Sequence, residues 1–160
     1  MTKGIKQQHF TSNIFAVFEE TFETHHGVYL DKGTSLFETL GTISAAEASR
    51  PVSSRCASLA AQVAHVTFYI EVLEKAIRNE VIGKVDWGDI WQRIEVVSET
   101  EWTALKSQLE ATYRRVSTLI HGIDDWDDDD RIGGMIAIVV HTAYHLGEIR
   151  QALCTLKHDS

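Results

Sequence analysis

Proline is nearly absent from this chain, with 1 in 160 residues, and cysteine and methionine occur only twice each. Scarce proline leaves long stretches free of the residue that most strongly interrupts an α-helix. Two cysteines without a framework spacing exclude a disulfide-stapled fold and fit a reducing compartment. Long hydrophobic runs are missing as well. The longest, Met135 to Val140, falls far short of the roughly 20 apolar residues that cross a bilayer, and Met1 to Gln8 carries no apolar signal segment. A cytoplasmic protein without a membrane partner is therefore expected. Positive charge is in deficit: 15 Lys and Arg against 23 Asp and Glu give a net charge of −8. A nucleic-acid binder draws most of its affinity from cationic side chains, so no nucleic-acid partner is expected. Strand-type alternation and internal repeats are absent too.

What is present is helical periodicity. With 44% hydrophobic residues in 160, the chain can bury a core of its own, and a single domain over 1–160 is expected. Phe10, Ile14, Phe18 and Phe22 recur at helical spacing and predict a first helix over about 9–25, with His25, His26 and Gly27 at its C-terminal end. A crossover follows, holding a short helix near 35–43 and a second start at Ser44–Glu47, a capping-box pattern. Pro51 ends it. A second long helix is expected over about 55–79, and a third from the capping box Ser98–Glu101 to His121–Gly122, with Trp102, Leu105, Leu109, Val116 and Ile120 on its apolar seam. The fourth begins near Ile132. The aspartates from Asp124 to Asp130 lack EF-hand spacing and read as a solvated lead-in that favours the positive end of that helix. Trp87 and Trp91, between the second and third helices, are expected to cap one end of the core and could wall a pocket.

Chemistry enters with histidine. His141 and His145 lie one turn apart on the last helix, where residues i and i+4 share a face and two neutral imidazoles can bind one transition-metal ion. The spacing alone is common in a chain with 8 histidines. The setting is less so, because the pair interrupts an apolar stripe continued by Ile138, Thr142 and Ala152. A third imidazole, His65, sits on the second helix among Ala61, Phe68 and Val72. If the two helices pack side by side, three histidines converge and leave further positions open to water or substrate, as catalytic rather than structural metal sites do. Cys56 and Cys154 each lie nine residues from the nearest of these histidines. On a continuous helix that is about 180° around, so both should point away. Glu148, one turn past His145, is a candidate base or hydrogen-bond partner of a metal-bound water; the plainer reading is a solvated rim carboxylate paired with Arg or Lys.

The stretch His141-Thr142-Ala143-Tyr144-His145-Leu146-Gly147-Glu148-Ile149-Arg150-Gln151, together with Ala60-Ala61-Gln62-Val63-Ala64-His65 and the Asp86, Trp87 and Trp91 group, resembles the DinB/YfiT-like superfamily of damage-inducible DinB proteins. The resemblance runs over the whole chain. It implies an all-α antiparallel four-helix bundle with a long crossover after helix one, and a divalent metal ion, nickel or zinc, bound by His65, His141 and His145. Two positions depart from the family's habit: Gln62 stands where relatives often have histidine, and Glu148 where they often have glutamine. What the resemblance implies functionally is an enzyme acting on a small-molecule substrate, by metal-dependent hydrolysis or by transfer of a low-molecular-weight thiol. The alternative is a non-enzymatic stress-response binding or structural module whose metal is vestigial or stabilising. Family members often pair as homodimers, and apolar positions on both sides of helix two (Leu59, Val63, Ile70 and Leu73 opposite Phe68 and Val72) leave room for such a face.

Overall fold

The computed structural model describes residues 4–88, 91, 94 and 96–158. They form no strand; the regular elements are helices α1 (Gln7–Phe22), α2 (Leu36–Leu40), α3 (Ala45–Ala48), α4 (Leu59–Ile77), α5 (Glu99–His121) and α6 (Asp129–His158). The all-helical expectation holds. Boundaries follow local chemistry. Ser44, Ser58 and Ser98 each accept a hydrogen bond from the backbone three residues on, and Glu47 and Glu101 complete two of the caps by reaching back to the serine amide. Asp128 receives the Arg131 amide at 3.0 Å and starts α6 among the carboxylates that suit its positive end.

Helix one stops at Phe22, three residues earlier than its apolar rhythm suggests. The reason is Glu20, whose fully buried carboxylate accepts the backbone N–H groups of Val28 at 2.7 Å and Leu30 at 2.9 Å. Satisfying those amides pulls the chain back over α1 and opens the crossover. Gly27, expected as the helix cap, instead takes a positive φ of 80° inside that turn. Burial disfavours the Glu20 charge, yet the backbone donors outweigh it and leave its pKa below the usual carboxylate value.

Aromatic packing joins α1 to α5. Tyr113 stacks against Phe18 and Phe22 with ring centroids 5.0 and 4.8 Å away. Near the other end of α1, Phe15 lies 4.6 Å from the His121 ring and Gln7 donates to the Asp124 carbonyl at 2.8 Å. Early residues of α1 thus face late residues of α5, and the pair is antiparallel. The Trp102 indole N–H donates to the Ile43 carbonyl at 2.8 Å, which closes the start of α5 onto the crossover while burying a side chain worth about 3 kcal/mol of apolar transfer.

The α4–α6 pair matters most for function. Helix α4 is buried almost all round its first three turns, from Leu59 to Thr67, the pattern of a central helix. Close approach to α6 is set at one end by Gly134, where an added Cβ would come within 3.0 Å of Ile77. At the other end His65 meets His141. Moving forward along α4 therefore means moving backward along α6, and these two are also antiparallel. Helices α4 and α5 differ: Glu71 faces Gln108 and Thr112, while Glu74 pairs with Arg115 at 2.8 Å. Their partners advance together, so these two neighbours run the same way. Antiparallel contact describes α1 with α5 and α4 with α6, but not α4 with α5.

By length and composition α6 is the one described helix that would also suffice to cross a membrane. Here Met135, Ile138, Thr142 and Ile149 on one of its faces are fully buried against the other helices.

Candidate metal centre

Because α4 and α6 pass closely, His65, His141 and His145 come together as expected, each offering one ring nitrogen, and these atoms all lie within 4.8 Å of one another. The Nε2 atoms of His65 and His141 are 3.1 Å apart. His65 and His145 are buried and His141 half-buried. Aromatic rings hold the imidazoles in place. Tyr69 lies flat on His141, Trp91 stacks on His65 with centroids 4.1 Å apart, and Tyr144 presents its edge to His145 at 5.1 Å. Trp91 thus walls the site; Trp87 packs farther out, edge-on to Phe68 at 5.8 Å.

Electrostatics favour neutral rings. Burial pushes His65 down to about 4, helped by the neighbouring His145 and opposed by Glu148. Burial pushes His141 down to about 3, with His145 and His65 adding to it. His145 is lowered by burial too, against the pull of Glu148. Three imidazoles with free lone pairs, drawn together out of water, form the donor set that a borderline transition-metal ion prefers. Among the described residues, the buried side-chain polar atoms without a hydrogen bond are Gln62 Oε1, the Nδ1 atoms of the three histidines, Thr142 Oγ1 and, elsewhere, Arg131 Nε. With the Nε2 atoms of His65 and His141 facing one another, the Nδ1 atoms are the outer ring nitrogens, which an ion between the rings would leave to other partners.

Glu148 is neither remote nor simply on the rim. Its Oε2 lies 3.0 Å from His145 Nδ1, off the N–H direction that a well-formed bond requires. A carboxylate on the far nitrogen of a ligating histidine fixes the tautomer and makes the other nitrogen more basic. The same carboxylate raises the pKa of the Tyr144 hydroxyl by hydrogen bonding.

The site opens on a cleft of about 840 Å³. One wall is α6 from Tyr144 to Thr155; the other combines Gln62, His65 and Trp91 with Arg55, Cys56 and Ala57 from the segment before α4. Cys56 corrects an expectation. The half-turn rule that sent it away from the histidines assumes a helix continuous from Cys56 to His65, but Ser58 caps α4 and the chain bends before it. Cys56 therefore lines the cleft, its Sγ 3.2 Å from Ser53 Oγ. Cys154, within α6, faces a different surface depression with Arg150 and Lys157, as the helical rule requires. Tyr69 and Tyr144 were missed by sequence reasoning, although both fall one turn from a candidate histidine and that spacing could have found them.

Comparison with known proteins returns no family model, no curated protein and no solved structure that matches this chain.

Proposed function

We propose that this protein is a DinB-like metalloenzyme: its four long helices form a bundle of that type, and His65, His141 and His145 hold a divalent ion, nickel or zinc, at the head of a substrate cleft. The observation that carries the reading is the convergence of three neutral imidazoles, two buried and one half-buried, on one point that opens on a cavity. When bound, such an ion polarises a carbonyl, lowers the pKa of bound water or keeps a thiol ionised. The chain's own residues then do the rest. Glu148 orients His145; Tyr69 and Trp91 fix the rings of His141 and His65 by stacking; the cleft admits a small molecule of up to a few hundred Å³.

Hydrolysis and thiol transfer both use these features. Thiol transfer is the better supported, because the described cleft wall is mostly apolar or neutral and its one described carboxylate, Glu148, lies against His145 and Tyr144. A sealed structural site would carry four protein ligands and no route to solvent, whereas three histidines meet here beside an open cleft. The test is elemental analysis of the wild-type protein beside His65→Ala, His141→Ala and His145→Ala, followed by thiol-conjugation and ester-hydrolysis assays on the metallated form. Near-stoichiometric metal lost in each variant supports the centre; unchanged metal in all three ends it. A metallated protein inactive in both assays supports the non-enzymatic module.

Pairing into a homodimer belongs to the same proposal, on a different face from the one first expected. Leu59, Val63 and Ile70 are consumed by the core. Within the described helices, the exposed large apolar side chains are Ile136, Val140 and Tyr144, all on α6.

A further inference from the structure

The cleft is longer than the metal centre needs, and its far end has a chemistry of its own. From His145 to Thr155 the α6 wall climbs roughly 15 Å. On the facing side the lining passes from His65 to Gln62 and then, beyond the Ser58 cap, to Ala57 and Arg55. Among the described lining residues, Glu148 and Arg55 are the two that carry full charge. Glu148 is committed at the histidine end, 3.0 Å from His145 Nδ1. Arg55 is not: its backbone amide bonds Ser53, but its guanidinium has no carboxylate or other hydrogen-bond partner among the described residues. An unpaired guanidinium at a cleft mouth is a ready partner for a planar oxyanion, which it can grip with two parallel N–H bonds. Between the two ends the Gln62 amide, over nine-tenths buried, offers a carbonyl oxygen without a partner. In a protein of net charge −8, a local unpaired cation also limits where an anion can settle.

We infer that the cleft takes an elongated, anionic small molecule of about dipeptide to tripeptide size, with its reacting end at the three histidines and a carboxylate at Arg55. The amide of Gln62 meets a hydrogen-bonding group midway along it, a role a backbone-like amide in the ligand fills from either side of the Gln62 head group. Apolar contacts come from Ala57 and Ala152 on opposite walls. This inference rests on the open metal centre proposed above and names the class of molecule that centre serves.

Two probes that differ by one charge test it: N-acetyl-Cys-Gly-Gly as the free acid and as its C-terminal amide, titrated into the cobalt-loaded protein and followed by the near-ultraviolet charge-transfer band of a cobalt–thiolate bond. The free acid should bind at least tenfold more tightly than the amide in the wild-type protein. Arg55→Gln should abolish that preference while leaving cobalt content and the affinity for the amide unchanged, and Arg55→Glu should reverse it. Gln62→Leu should weaken both probes alike. Equal affinities in the wild type, or a preference that survives Arg55→Gln, would overturn the inference and leave the metal centre standing. Bound cobalt with no band from either probe would sink the open-site reading itself, and the inference with it.

Discussion

Tyr69 lies face to face with His141, ring centroids 3.5 Å apart and planes within 5° of parallel. Two electron-rich rings in full overlap repel through their quadrupoles, and aromatic pairs usually slide apart or turn edge-on. An imidazole that gives its lone pair to a cation becomes electron-poor, and its attraction to a phenol face then rises. The stack thus favours the metal-bound form over the free one. Replacing Tyr69 with Ala should weaken metal affinity about tenfold, roughly the 1.4 kcal/mol at the upper end of such contacts, whereas Tyr69→Phe should keep most of it. Competition against a chelator of known affinity measures both; equal losses in the two variants would show that the hydroxyl, not the ring face, matters.

Glu148 separates two roles that the sequence leaves open. As an orienting partner of His145 it acts on metal retention, and removal of such a carboxylate costs about 10- to 100-fold in affinity. As a proton-transfer base it would act on turnover and leave the metal in place. Its 3.0 Å approach to His145 Nδ1 favours the former. Glu148→Ala should release metal at chelator concentrations that leave the wild type loaded, with Glu148→Gln intermediate because it still accepts a hydrogen bond. Full metal retention in both variants would return Glu148 to the list of candidate bases.

Acid should reveal the cluster in the metal-free protein. An unfolded histidine titrates near 6.5, while burial, helped by neighbouring histidines, holds His65 at about 4 and His141 at about 3. Between those limits the unfolded chain binds protons that the folded chain refuses. The contribution to stability is complete above about 6.5 and shrinks as pH falls toward 3. Chemical denaturation of the metal-free protein at pH 7.5, 6.5 and 5.5 should therefore show stability falling across the series. The buried acid Glu20, with its lowered pKa, loses its contribution only as pH falls through the normal carboxylate value and below, beneath that series of pH values. His141→Phe should flatten the dependence, and loaded metal should shift it to lower pH because bound ion excludes protons from the same nitrogens. A wild-type profile already flat from 7.5 to 5.5 would contradict the assigned burial.

How much of this was readable beforehand depends on the range of the forces involved. Helix identity and the caps at Ser44 and Ser98 are decided within four residues and show in the sequence. The convergence of His65 with His141 could be inferred because a polar ring on each of two apolar faces has few places to go. Glu20 could not. Its partners at 28–30 are backbone amides, which no side-chain pattern reveals, and they end α1 early against its own apolar rhythm. Cys56 failed for a related reason: periodicity gives direction only while the helix lasts, and whether Ser58 or Arg55 starts α4 changes which way the thiol points. Arg55 was invisible as a site residue because the cleft it borders is made by the segment before a helix and the end of another.

The exposed stripe on α6 predicts the mode of self-association. Gly133, Ile136, Val140, Tyr144 and Gly147 are all exposed on one side of the helix, and their positions are symmetric about Val140. A two-fold axis beside Val140 would bring each Ile136 against the partner's Tyr144 and glycine against glycine, which lets two helices approach closely in the self-complementary manner of a symmetric dimer. Val140→Asp places two carboxylates at the centre of that contact and should raise the dimer dissociation constant at least 100-fold, about 2.7 kcal/mol. Light scattering on a sizing column at micromolar protein reads the outcome directly. Because Tyr144 also lines the cleft, the monomeric variant should keep its metal yet bind thiol probes more weakly. A wild-type protein that runs as a monomer would overturn the pairing, and a Val140→Asp variant that still dimerises would move the interface elsewhere.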